Sequence, residues 1–124
     1  MENQMKRGLL DVCVLAAIKD EDSYGYRIIK DMSPYVEISE STLYPILRRL
    51  ESGQLLSVRS EEFNGRLRKY YHITPEGLKR IESFKEEWKE IMMIYEFVTR
   101  KKPAKDETGA EADTEQAEEG KKDE

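Results

Sequence analysis

The middle of this 124-residue chain concentrates basic side chains of the kind that neutralise phosphate groups. Residues 42–72 contain six arginines and lysines and three glutamates, which gives this segment a net charge of +3 (6 − 3), although the net charge of the whole chain is −5. Arginine pairs with phosphate oxygens and also binds guanine edges through two hydrogen bonds. Because a local field can differ in sign from the total charge, the acidic average does not exclude a nucleic-acid partner. The six are Arg48, Arg49, Arg59, Arg66, Arg68 and Lys69.

The sequence offers little for catalysis or metal binding. His72 is the only histidine and Cys13 the only cysteine, and one of each cannot complete a tetrahedral site. The adjacent acids of residues 20–22 lack the spacing of a calcium loop. We therefore expect no enzyme activity, no metal and no cofactor. We interpret His72 as a surface histidine, and Cys13 as a packing residue rather than a redox sensor.

Length and hydropathy suit one small domain in the cytoplasm. No run of 18 apolar residues is present, so no membrane span is expected. The most apolar stretch, residues 9–18, is interrupted by Asp11 and lacks a small-residue cleavage site, which argues against a signal peptide. A single cysteine is typical of a reducing compartment.

Two helices are predicted before the basic region. The first covers residues 5–19, and the second is capped by Ser23 and continues to about Met32, before Ser33 and a proline. The core face of the first helix is predicted from helical spacing to carry Leu9, Val12, Cys13 and Ala16.

A third helix is predicted to begin at Ser39 or Ser41 and to end at Gly53, a suitable C′ residue. Leu43, Ile46, Leu47 and Leu50 follow the i, i+3, i+4, i+7 rule and should face the core. The opposite side and its edges then present Ser41, Thr42, Tyr44, Pro45, Arg48 and Arg49.

A β-hairpin follows, and its register can be predicted. Asn64-Gly65 is the preferred sequence of a two-residue type I′ turn. Pairing outward places Leu56, Val58, Tyr71 and Ile73 on one face and Glu61 opposite Arg68 on the other, as an expected ion pair. The full set of expected pairs is Phe63 with Arg66, Glu61 with Arg68, Arg59 with Tyr70, Val58 with Tyr71 and Leu56 with Ile73.

The last helix should begin with Thr74 as its cap and a proline at its first position. Apolar residues then repeat with spacings of 3 and 4, as in a heptad seam, so we expect homodimerisation along this helix. The seam consists of Ile81, Phe84, Trp88, Ile91, Tyr95 and Val98. We divide the chain into a DNA-binding domain over residues 1–74, a dimerisation helix over 75–99 and a disordered acidic tail over 100–124.

This element order predicts a mainly α fold with one hairpin, namely a winged helix-turn-helix with an added C-terminal helix. In that fold the third helix enters the major groove of double-stranded DNA while the hairpin contacts the backbone or the minor groove. The candidate DNA-binding residues are Tyr24, Gly25, Tyr26, Ser41, Thr42, Tyr44, Arg48, Arg66, Arg68 and Lys69. The alternative is a winged helix used for protein–protein contact without specific DNA binding.

Four strings also resemble one family, the PadR transcriptional regulators: SYGYRI at 23–28, STLYPILRRLESGQL at 41–55, GRLRKYY at 65–71 and ITPEGL at 73–78. The single short C-terminal helix is similar to the smaller subfamily, which includes a lactococcal multidrug-binding repressor. The resemblance implies a homodimer on a palindromic operator that represses a transporter or detoxification gene. It also implies that the recognition-helix contacts are Ser41, Thr42, Tyr44 and Arg48.

The same resemblance implies an effector site at the dimer interface. Trp88 would face its partner across a pore and stack on a planar aromatic compound, or it simply packs in the seam. Asp11 and Val12 would border the pore, where Asp11 either attracts a cation or points to water. Met92 stands where the resemblance implies an acidic residue, which weakens the case for a cationic ligand.

Overall fold

The computed structural model describes residues 3–102 and contains four helices and one antiparallel hairpin. This order confirms the predicted mainly α fold with a hairpin. The elements are α1 (Asn3–Ala17), α2 (Gly25–Met32), α3 (Glu40–Ser52), β1 (Leu56–Phe63), β2 (Arg66–Ile73) and α4 (Pro75–Thr99).

The core lies where α1, α2 and α3 meet the inner face of the hairpin. In α3 the four predicted core residues are buried, since helical spacing leaves only one apolar face there. In α1 the predicted face is correct only in part: Val12 is buried at 5% exposure, but Val14 and Leu15 are fully buried and Ala16 is exposed. Because α1 is apolar nearly all round between residues 9 and 18, its periodicity could not single out the face that packs. α1 also ends at Ala17, two residues earlier than predicted.

Ser23 does not cap α2, contrary to the prediction. Its backbone forms an isolated antiparallel bridge with Tyr71, with Ser23 N–H donating at 3.2 Å and Tyr71 N–H donating back at 2.8 Å. Tyr24 becomes the N-cap residue in an extended conformation, and α2 begins at Gly25. The bridge ties the start of α2 to the hairpin.

α3 begins after Ser39, which resolves the two predicted starts, and Pro45 therefore lies inside the helix. At the other end Gly53 has φ −83° and is not the left-handed residue. That residue is Gln54, with φ 63°, followed by a Leu55 N–H donating to the Leu50 carbonyl at 2.9 Å. This bond and the positive φ of Gln54 identify a Schellman motif, whose left-handed residue lies one position later than the predicted Gly53.

The hairpin register is confirmed at every predicted pair. Asn64 (φ 52°) and Gly65 (φ 77°) adopt the two positive φ angles that a type I′ turn requires. Leu56, Tyr71 and Ile73 are buried on the inner face.

Thr74 caps α4, as predicted, by accepting a hydrogen bond from the Gly77 N–H at 3.1 Å. The same hydroxyl donates to the Gln54 carbonyl at 2.8 Å, so it also joins the helix start to the end of α3. By internal contacts the chain divides into units 1–91 and 92–124. The predicted tail, from residue 103 onward, lies outside the described residues.

Across residues 3–102, no helix combines the length and hydropathy needed to cross a bilayer.

Candidate nucleic-acid interface

The outer face of α3 is a polar surface held in place by the buried face behind it. Leu43 and Leu47 anchor the helix at 0% and 1% exposure, while Ser41, Thr42 and Arg48 are exposed. Pro45 has no N–H, so the Ser41 carbonyl one turn earlier lacks its helical donor and remains available as an acceptor. This face can therefore donate and accept hydrogen bonds, as base edges require.

Tyr44 links this helix to the start of α2. Gly25 is buried, and a Cβ at that position would collide with the Tyr44 hydroxyl. The Gly25 backbone therefore lies against the Tyr44 phenol, and a side chain at residue 25 would require the Tyr44 hydroxyl to move. Tyr26, next to Gly25, is exposed.

The hairpin presents Arg66 and Lys69 to solvent, and neither lies within 4.0 Å of a carboxylate among residues 3–102. Leu67, between them in the sequence, is 79% exposed because the tip of the hairpin projects beyond the core. These two cations are free to bind phosphate.

Arg68 is placed differently from its predicted role. Its guanidinium lies over the rings of Tyr24 and Phe63, at 3.9 Å and 3.8 Å from their centroids, and is partly buried. Tyr24 in turn packs edge-on against Tyr70 at 5.7 Å. Arg68 thereby fastens the hairpin to the start of α2 through cation–π contacts. Sequence reasoning missed Phe63, although its pairing beside Arg66 in the predicted register was the available signal.

The expected Glu61–Arg68 ion pair is wrong, although the two residues are opposite each other. Glu61 accepts a hydrogen bond from Arg59 Nε at 2.6 Å, and Arg59 also pairs with Asp22. Aromatic rings close to Arg68 outcompete the carboxylate across the strands. Arg59 is consequently neutralised and adds little to the positive field of the hairpin.

His72 and Asp22 form a polar cluster with Arg59 on the outer hairpin face. Asp22 Oδ1 lies 2.7 Å from His72 Nδ1. The hydrogen bond with His72, followed by that from Arg59, lowers the pKa of the Asp22 carboxyl. The predicted surface position of His72 is correct, since its side chain is exposed. On the inner face, burial raises the pKa of the Tyr71 phenol, which stays neutral.

Seven of the ten predicted residues line one groove between α2, α3 and the hairpin, which we call the wing groove. It has a volume of about 550 Å³. Arg48 lies next to it, in a smaller depression that also contains Lys69. Ser41 and Thr42 lie on the other side of α3. The seven are Tyr24, Gly25, Tyr26, Tyr44, Arg66, Arg68 and Lys69.

The residues predicted to bind an effector are not brought together. Asp11 is engaged by Arg49 of α3 in an ion pair, rather than facing a ligand or water alone. Val12 is 5% exposed and belongs to the core. Met92 is exposed, at the start of the second unit. Only Trp88 lines a groove, between α1 and α4, where it stacks on Phe84 with ring centroids 6.0 Å apart.

The predicted dimer seam divides into covered and uncovered residues. Ile81 is 6% exposed in the core of its own chain, which leaves it little surface for a partner. Phe84 is half-buried against the same core. Beyond them the seam residues are exposed, from 43% to 69%: Trp88, Ile91, Tyr95 and Val98.

A helix with a polar outer face, a preceding helix whose start it contacts, and a basic hairpin beside both define the winged helix-turn-helix class of proteins. Within that class, residues 14–83 match the model of the transcriptional regulator PadR-like family. The chain therefore belongs to the PadR-like family of transcriptional regulators, as the resemblance predicted. Proteins of this kind are regulators of transcription and not enzymes.

Individual relatives agree with this assignment. The transcriptional regulator Rv3488 of Mycobacterium tuberculosis is 31% identical over 75 residues, which cover 60% of this chain and 70% of that protein. A PadR-like transcription factor from Bacteroides fragilis has a solved structure that superposes with a TM-score of 0.71 at 32% identity, over 77% of this chain and 95% of the other. The solved structure of a PadR-like transcriptional regulator from Bacillus cereus superposes with a TM-score of 0.69 at 31% identity, over 81% of this chain and 100% of the other.

Proposed function

We propose that this protein is a homodimeric, sequence-specific DNA-binding repressor of a transporter or detoxification gene. The observation that carries the proposal is the convergence of α2, α3 and the hairpin on the wing groove, with Arg48, Arg66 and Lys69 free of carboxylate partners among the described residues. Such a surface suits a polyanion that also presents hydrogen-bonding edges, and duplex DNA has both properties.

The side chains divide into three roles. Arg48, Ser41 and Thr42 on the exposed face of α3 contact base edges in the major groove. Arg66 and Lys69, together with the hydroxyls of Tyr24 and Tyr26, bind phosphates and set the register. Arg68 holds the hairpin against Tyr24, so its contribution to binding is indirect.

The end of α4 supports the homodimer. Between residues 91 and 98 seven side chains are apolar or aromatic and all are exposed. At about 100° per residue they spread around most of the helix circumference, and the predicted seam includes three of them: Ile91, Tyr95 and Val98. A second copy can bury these seam residues, and an isologous dimer presents two α3 helices to a palindromic site with half-sites about one helical turn apart.

Trp88 supports a proposed effector site for a planar aromatic compound at the dimer interface, whose binding relieves repression. The ring is 43% exposed and already stacks on Phe84, so one indole face remains available to a flat ligand. Neutral aromatics are favoured over cations, because Asp11 is held by Arg49. Planar aromatic compounds should therefore change the fluorescence emission of Trp88. The control variant Trp88→Phe shows that the emission comes from this residue. Emission unchanged by every compound of a panel would mean that Trp88 only packs.

The test of DNA binding begins with fragments that the purified protein selects from genomic DNA. We expect a discrete complex at moderate salt. With roughly 6–8 phosphates neutralised per dimer, the slope of log K against log salt should lie between about −5 and −7.

Arg48→Ala should lower discrimination against altered sites by about 1–3 kcal/mol. Arg66→Ala should weaken all DNA equally and flatten the slope by about 0.9 per protomer. Lys79→Ala, an exposed cation on α4, is the control. Weak, sequence-blind binding would favour a protein–protein module instead.

A further inference from the structure

A second groove lies on the opposite side of α3 from the wing groove, between the starts of α1 and α3. We call it the α1 groove. Its exposed lining contains three cationic side chains, two hydroxyls and no acidic side chain. The exposed lining residues are Lys6, Arg7, Ser41, Thr42, Pro45 and Arg49. Sequence reasoning assigned no function to Lys6 or Arg7, because they precede the basic region in the chain.

The cations of the α1 groove are not equally available. Arg49 is paired with Asp11. Lys6 and Arg7 have no carboxylate within 4.0 Å among residues 3–102. Two adjacent cations one turn from the helix start therefore face solvent beside the recognition face of α3.

The position of the two grooves matches the shape of a duplex. A helix in the major groove, about 12 Å wide, has a phosphate backbone on each side. The wing groove flanks one edge of α3 at Tyr44, and the α1 groove flanks the other edge at Ser41, Pro45 and Arg49. If the wing groove takes one strand, the other strand runs along the α1 groove.

We propose that Lys6 and Arg7 form a second phosphate-binding site that holds the DNA strand opposite the one bound by the hairpin. The proposal rests on α3 entering the major groove, as proposed above. Ser41 and Thr42 line the groove on the α3 side and keep the base-edge role proposed above, so the new phosphate contacts are those of Lys6 and Arg7. The contacts are to phosphate, so they strengthen binding to any sequence.

The first experiment measures salt dependence with a random-sequence duplex of about 40 base pairs. The double variant Lys6→Ala/Arg7→Ala should flatten the slope of log K against log salt by about 1.8 per protomer, at about 0.9 for each phosphate lost. Lys6→Arg and Arg7→Lys should retain the slope, and Lys79→Ala should leave it unchanged. Alanine favours helix at these exposed positions, so thermal unfolding should be unaffected.

The second experiment locates the contacts by ethylation interference on an operator selected by the wild-type protein. The variant should lose interference only at phosphates on the strand away from the hairpin, while its preference for the operator over random DNA is kept. An unchanged slope and footprint in the double variant, with Arg66→Ala still flattening the slope, would overturn this site and leave the proposed function standing. Wild-type protein without salt-dependent DNA binding would overturn both.

Discussion

In the hairpin the inner-face side chains are covered by the same chain, whereas at the end of α4 the large apolar side chains face solvent. Leu56 and Ile73 are a cross-strand pair with at most 7% exposure, while Tyr95 and Val98 are 57% and 69% exposed. Both elements are well-formed secondary structure, so the difference lies in their partners. The hairpin is completed within the chain, and the end of α4 carries apolar surface that no part of residues 3–102 covers.

The strongest test of this contrast places charge on the exposed part of α4. We expect Ile91→Glu/Tyr95→Glu to give a monomer with a folded DNA-binding unit. Operator affinity should fall by at least about 100-fold, because the second half-site is no longer held at high effective concentration. Sedimentation velocity and operator titration measure the two effects. Glu90→Lys, outside the predicted seam, is the control, and a double variant that still sediments as a dimer would remove the proposed role of this surface.

The junction between the two elements offers the next largest effect. Thr74→Ala removes both the cap on Gly77 N–H and the bond to the Gln54 carbonyl, which should lower the free energy of unfolding by about 1–2 kcal/mol in urea titrations. Thr99→Ala loses only an exposed hydroxyl bond to Tyr95 near the helix end and should cost less than about 0.5 kcal/mol. Similar losses in both variants would show that the junction is not specially fixed.

The attachment of the hairpin can be separated from its contact with DNA. Arg68→Leu removes the cation between Tyr24 and Phe63, and we expect operator affinity to fall by about 1 kcal/mol at unchanged salt slope. Arg68→Lys should recover part of the affinity. A slope reduced by about 0.9, as expected for Arg66→Ala, would instead identify Arg68 as a phosphate contact.

The smallest expected effect concerns the outer hairpin face. The pKa of the Asp22 carboxyl is lowered in the folded protein, chiefly by the hydrogen bond with His72. The ionised carboxylate therefore stabilises the fold above the ordinary carboxyl pKa of about 3.9, and this stabilisation is lost as the pH falls through the lowered pKa. Asp22→Asn should therefore be less stable than wild type by under about 1 kcal/mol at neutral pH. The two unfolding curves should converge as the pH falls through the lowered pKa of Asp22, where the carboxyl is protonated. A gap that persists in acid would exclude an ionic origin.

Sequence patterns predicted those parts of the fold in which two independent signals agree. The hairpin combined a turn sequence with alternating apolar residues, and the buried face of α3 had a single apolar stripe. The packing face of α1 was predicted only in part, with Val12 correct and Ala16 wrong, because a helix that is apolar nearly all round has no single apolar stripe. Gln54 at the end of α3 and Ser23 before α2 take conformations set by tertiary hydrogen bonds that no local pattern encodes.

At the candidate site, residue types were predictable and partners were not. Arg66 and Lys69 are exposed as expected, because the turn projects them beyond the core. Arg68 is engaged by Tyr24 and Asp11 by Arg49, partners that are distant in sequence, and the roles of Arg68 and Asp11 depend on those contacts. The same holds for Lys6 and Arg7, which only folding places beside α3.

The sheet is only two strands wide, and β2 also receives the single bridge from Ser23, so β1 has an outer edge that no described strand covers. Such an edge is a template on which another chain can add a strand. Here it carries Arg59, Glu61 and Glu62, whose charges oppose stacking of like edges. We expect replacement of those three by threonine to promote strand addition between molecules at this edge.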